Sequence, residues 1–79
     1  MSNELELVIQ DDTGYDVPAG NNAVWVEVLH GASAGNQFKL EYGNSSVRKV
    51  LDSLSEGDVV TAEVEQTLSG YKAIDVEVL

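Results

Sequence analysis

Apolar and polar side chains alternate through most of this chain, and most clearly in residues 59–79, VVTAEVEQTLSGYKAIDVEVL. Val60, Ala62 and Val64 share one side of a first arm, with Thr61, Glu63 and Glu65 on the other. Along a second arm, Ile74, Val76 and Val78 oppose Ala73, Asp75 and Glu77. A period of two belongs to a half-buried strand, so a β-hairpin is expected. A two-residue Ser69-Gly70 turn would set Val64 against Asp75 and Ala62 against Glu77, seating carboxylates on the apolar face. A three-residue loop, Leu68-Ser69-Gly70, removes that conflict and puts Gly70 at the left-handed position such loops use. The expected inward pairs are then Val60/Val78, Ala62/Val76 and Val64/Ile74. The outward pairs are Thr61/Glu77, Glu63/Asp75, Glu65/Ala73 and Thr67/Tyr71.

The same pattern places a first strand at Glu4–Gln10, with Leu5, Leu7 and Ile9 on one side. Asp11–Asn22 (DDTGYDVPAGNN) is dense in turn formers and reads as a loop, long for a connection in so short a chain. Strands follow at Ala23–His30 and Asn36–Tyr42, joined by GASAG. The expected register pairs Val28/Phe38, Val26/Leu40 and Val24/Tyr42 inside, with Glu27/Lys39 and Trp25/Glu41 outside. In Asn44–Glu56, Val47, Val50, Leu51 and Leu54 recur at helical spacing. Asn44, Ser45 or Ser46 is positioned to cap this helix and Gly57 to end it. The element order is β-β-β-α-β-β, read as a mainly β single domain over residues 1–79.

Composition narrows the functional classes. The chain has 79 residues, and one this short buries only about 60–65% of its unfolded surface. It has no cysteine and one histidine, which excludes a disulfide framework and the usual zinc sites. The longest apolar run, Ala23–Val26, is far too short to span a membrane, and the N-terminal residues MSNELELV lack the features of a signal peptide. A cytoplasmic protein without a membrane partner is expected. Fourteen carboxylates against four basic residues give a net charge of −10. That balance favours solubility and opposes compaction. With acids on every strand, little lysine and much valine and alanine, the composition resembles that of haloarchaeal cytoplasmic proteins. The competing reading of the same charge is mimicry of nucleic acid.

Three strands, a helix and a closing hairpin resemble the OB-fold, a small five-stranded barrel common among oligonucleotide and oligosaccharide binders. The resemblance covers nearly the whole chain and is one of topology. It implies an antiparallel five-stranded barrel whose end is plugged by Val47, Val50, Leu51 and Leu54. It also implies a ligand face across the second and third strands, beneath the first-second and fourth-fifth loops. The latter loop, Leu68–Gly70, is too short here for a deep clamp.

The candidate ligand-binding residues are Trp25, Lys39, Tyr71, Arg48 and Lys49. Trp25 is expected outside the second strand near Lys39, with Tyr71 also outward and Tyr15 in the long loop. Aromatics standing on such a sheet stack bases. The alternative for Trp25 is packing beneath the barrel's own loop. Arg48 and Lys49, expected in the first helical turn, sit against the helix dipole, a conflict that a phosphate would offset. Pairing of Arg48 with Asp52 is the plainer reading. GASAG matches G-x-S-x-G, but a nucleophile elbow needs a strand entering a helix, with an acid and then a histidine downstream. Here His30 precedes Ser33, so no catalytic residue is assigned. Glu63, Asp75 and Glu77 with Glu65, and Asp11, Asp12 and Asp16 in the loop, read as solvated acid surfaces, so no metal site and no cofactor are expected. The chain is therefore read as a non-enzymatic acidic binding module for single-stranded nucleic acid. The alternatives are an assembly subunit whose last strand extends a partner's sheet, and a nucleic-acid mimic.

Overall fold

Five strands close into a barrel in the order β1-β2-β3-β5-β4, with one helix between β3 and β4. The elements are β1 (Ser2–Ile9), β2 (Ala23–Val28), β3 (Gln37–Tyr42), α1 (Ser45–Asp52), β4 (Val59–Thr67) and β5 (Gly70–Val78). The structure is a computed structural model and describes residues 2–10, 22–68 and 70–79. Most of the expected long loop, including Asp11, Asp12, Tyr15 and Asp16, lies outside the described residues. The strand order is compatible with an OB-like topology. The sheet is mixed and not wholly antiparallel, because β3 and β5 run parallel through Leu40/Tyr71, Glu41/Lys72 and Tyr42/Ala73. The reason is connectivity. The helix crosses from the end of β3 to β4, and the hairpin then brings β5 back beside β3 in the same direction.

The alternating positions fill the barrel as their period requires. Leu7, Val26, Leu40, Val60, Ala62, Val64 and Ala73 are buried, and Val47 and Leu51 of α1 join the same core. Each large aliphatic side chain removed from water contributes roughly 1.5–3 kcal/mol before entropy is counted. Strand β1 serves two neighbours. Its residues Ser2–Val8 pair with β4, and Leu7–Ile9 also pair with β2.

The hairpin follows the expected register through Val60/Val78, Thr61/Glu77, Ala62/Val76 and Glu63/Asp75. A bulge then shifts it, and the pairs become Val64/Ala73, Glu65/Lys72, Gln66/Tyr71 and Thr67/Gly70. The connection is thus two residues, Leu68-Ser69, and not the expected three. Ile74 is the extra residue that reconciles this turn with the distal pairs. Without it, the tight turn would drive carboxylates inward beyond Glu63; with it, both halves keep valine inside. Ala73 takes the core seat opposite Val64, and Ile74 lies half-buried beside the helix.

The β2–β3 ladder slips by two residues from expectation. The pairs are Ala23/Glu41, Val24/Leu40, Trp25/Lys39, Val26/Phe38 and Glu27/Gln37. A slip of two leaves every side chain on its expected face, so hydrophobic patterning alone does not choose between the registers. The loop chooses. Gly31 and Gly35 take φ values of 90° and 88°, and the Gly35 N–H reaches the Val28 carbonyl at 2.8 Å. The Val28 N–H donates to the Asn36 carbonyl at 2.9 Å.

Helix α1 is shorter than the expected Asn44–Glu56. Asn44 caps it by accepting the Val47 N–H at 2.9 Å. At the far end, the Ser53 hydroxyl donates to the Val50 carbonyl at 2.7 Å and the Leu54 N–H to the Leu51 carbonyl at 3.2 Å, tightening the last turn. The next residues are needed elsewhere. The Gly57 N–H donates to the Ile9 carbonyl, and the Ile9 N–H to the Asp58 carbonyl, both at 2.8 Å. Among the described residues, no helix is long and apolar enough to cross a membrane.

Barrel closure sets one stringent sequence requirement. The Gly43 N–H donates to the Ala73 carbonyl at 2.8 Å, and a Cβ on Gly43 would collide with that carbonyl oxygen. Gly43→Ala is therefore expected to separate β3 from β5 and destabilise the protein by about 2–4 kcal/mol, read as a lowered urea midpoint.

Candidate functional site

The outer face of β2 and β3 brings together two of the expected candidate residues. Trp25 stands directly across from Lys39 and is half-buried, while Lys39 is exposed. Below this pair, the Gln37 amide donates to the Glu27 carboxylate at 3.2 Å. On the other side, Glu41 pairs across the parallel ladder with Lys72, which in turn faces Glu65. The tip of the β4–β5 hairpin borders the face, because Gly70 approaches the Lys39 carbonyl.

The expected candidates divide into separate places. Trp25 and Lys39 come together, more closely than the expected Trp25/Glu41 register would allow. Tyr71 does not join them. The bulge reverses its parity, so it packs against the core beside Phe38, with ring centroids 4.8 Å apart and planes at 48°. Arg48 and Lys49 lie on the exposed side of α1. Arg48 pairs with Asp52 one turn on, Nε to Oδ2, at 3.5 Å. Because the helix ends at Asp52, Lys49 falls in the last turn, where its charge suits the dipole. The electrostatic conflict that suggested a phosphate at this residue is therefore removed.

The GASAG segment is an exposed hairpin loop in which the Asn36 N–H donates to the Ser33 carbonyl at 3.0 Å. His30, three residues before Ser33, directs its Nε2 to the Glu6 carboxylate at 2.7 Å, across the β1–β2 junction. Among the described residues, no group of three or more histidine, aspartate or glutamate side chains is placed to hold a metal ion.

Charge is distributed unevenly around the barrel. Glu4, Glu63 and Asp75 form one cross-strand row over β1, β4 and β5, and Glu6, Thr61 and Glu77 form the next. Like charges facing one another across strands destabilise a sheet. The β2–β3 face, in contrast, mixes Lys39 with Glu27 and Glu41.

Sequence reasoning missed a polar cluster at the helix. The Tyr42 hydroxyl donates to the Asp52 carboxylate at 3.0 Å, on the same residue that pairs with Arg48. Burial, then the hydrogen bond and charge of Asp52, push the Tyr42 phenol up to about 12, against an opposing effect of Arg48. The signal was present but incomplete. Helical spacing places Arg48 and Asp52 together, whereas Tyr42 joins them only through the turn at Gly43-Asn44.

Comparison with protein-family models, curated proteins and solved structures finds no match to this chain.

Two outcomes test this electrostatic picture. Added KCl should raise the melting temperature, and Glu4→Gln should stabilise the fold in dilute buffer by about 0.2–1 kcal/mol, an advantage that concentrated KCl removes. Tyr42 has a folded pKa above its ordinary value of 10.0, so its contribution is intact below about pH 10 and lost as pH rises toward about 12. Urea midpoints across that interval should fall less steeply for Tyr42→Phe than for the wild-type protein.

Proposed function

We propose that the protein is a non-enzymatic binding module that holds single-stranded nucleic acid against the outer face of β2 and β3. The observation that carries this reading is the direct cross-strand pair of Trp25 and Lys39. An indole on a sheet offers a stacking platform for any base, and a lysine beside it meets the adjoining phosphate. The reading takes the barrel as OB-like and its acidity as adaptation of a cytoplasmic protein to concentrated salt. A net charge of −10 repels phosphates in dilute buffer. In molar salt the screening length falls to about 3 Å, leaving stacking to supply the affinity. The crowding of carboxylates on β1, β4 and β5, away from Trp25, favours the β2–β3 face for this contact.

Titration with labelled single-stranded oligonucleotides in concentrated KCl should quench or shift Trp25 fluorescence. Trp25→Ala should weaken binding by about 1–3 kcal/mol, and Lys39→Gln should weaken it less. An indole spectrum that stays unchanged at saturating oligonucleotide refutes the proposal.

A further inference from the structure

Strand β5 has one side covered and one side partly open. It pairs with β4 along its length, but on its other side it meets β3 only through Tyr71–Ala73. Among the described residues, none pairs with that side beyond Ala73. Two side chains occupy the first exposed backbone groups there. The Asn44 amide donates to the Ile74 carbonyl at 3.1 Å, and the Asp75 carboxylate accepts the Val76 N–H at 3.0 Å. Beyond these, the edge continues to Val78, which is 52% exposed and followed by Leu79 at 65%.

A groove of about 440 Å³ runs beside this edge, between it and α1, lined by Val47, Val50, Ile74 and Val76 with Asn44 and Asp75 at its polar margin. An apolar trough beside open strand backbone is the geometry of β-strand addition, in which main-chain bonds give affinity and alternate side chains give specificity.

We infer that the β5 edge and this groove receive an extended basic segment of a partner protein. The chemistry of the occupant follows from alternation. Residues of an added strand that face the barrel lie over Val50, Ile74 and Val76, so they are aliphatic. Residues that face outward lie beside Asp75 and Glu77, both exposed, so they are lysine or arginine. A second copy of this chain does not meet that requirement. Edge-to-edge pairing of two β5 strands would bring Asp75 and Glu77 alongside the same carboxylates of the other copy. The incoming carbonyl replaces Asp75 at the Val76 N–H, which frees that carboxylate to meet a cation. This site is separate from the β2–β3 face and does not depend on the nucleic-acid reading.

The test is an amide-shift titration of the ¹⁵N-labelled full chain. The probe is a short synthetic peptide alternating valine and lysine, used in the lowest KCl at which circular dichroism shows the native fold. A peptide with glutamate in place of lysine is the control. Shifts are expected at Val47, Val50 and residues 74–78. Val78→Pro removes an outward N–H while leaving the Leu79 N–H on the Val59 carbonyl, and it should weaken binding about tenfold or more. Glu77→Lys should do the same and carries the test if the proline variant does not fold. Three results overturn the inference: no shifts with the lysine peptide, equal binding of the glutamate peptide, or shifts spread over Glu4, Glu6, Glu63 and Glu65 with both variants unaffected.

Discussion

The barrel closes where the Gly43 N–H meets the Ala73 carbonyl at 2.8 Å, and most other features follow from that contact. It brings β3 and β5 together in the only parallel pairing among the described strands. No side chain fits at Gly43, because a Cβ would overlap the Ala73 oxygen. A backbone approach this close costs chain entropy at glycine. The core offsets that cost, since closure seals Leu40, Val64 and Ala73 from water.

The bulge at Ile74 lies immediately beyond this closure and does two things. It lets a two-residue turn coexist with a distal register that keeps Val60, Ala62, Val76 and Val78 on one side. It also lies where β3 ends at Tyr42, so the β5 edge beyond Ala73 is left to Asn44 and Asp75 to cover in part. Asn44 is central to this arrangement. Its carbonyl oxygen caps α1 through Val47 while its amide holds Ile74, so one side chain couples the helix start to the strand edge. Proteins commonly protect strand edges with charge and local irregularity. Here the protection is incomplete toward Val78.

Two surfaces with different chemistry result. The face of β2 and β3 carries an aromatic ring beside a lysine. The face of β1, β4 and β5 carries rows of carboxylates that repel one another and phosphate alike. Screening by salt relieves the internal repulsion and, on the proposed reading, would lower the barrier to a polyanion near Trp25. A basic partner strand at β5 would relieve the same repulsion locally, through direct pairing.

Alternation and helical spacing in the sequence established the element order and the inward valines of β4, and narrowed the helix cap to Asn44, Ser45 or Ser46, of which the structure selects Asn44. They also established the Arg48–Asp52 pair and the outward placement of Trp25 and Lys39. These properties are local, because side-chain period and short-range spacing decide them. Only the tertiary structure decided the β2–β3 register, since a two-residue slip preserves both faces and glycine-mediated loop closure selects between them. It also decided that Tyr71 packs on Phe38, because the break in alternation at Ala73-Ile74 is met equally by a three-residue loop or by a bulge, and only the bulge turns Tyr71 inward. The early end of α1 is tertiary for the same kind of reason: Gly57 and Asp58 are drawn into bonds with Ile9, far away in sequence. A pattern along the chain records which way a side chain points, while its neighbour depends on how distant segments meet.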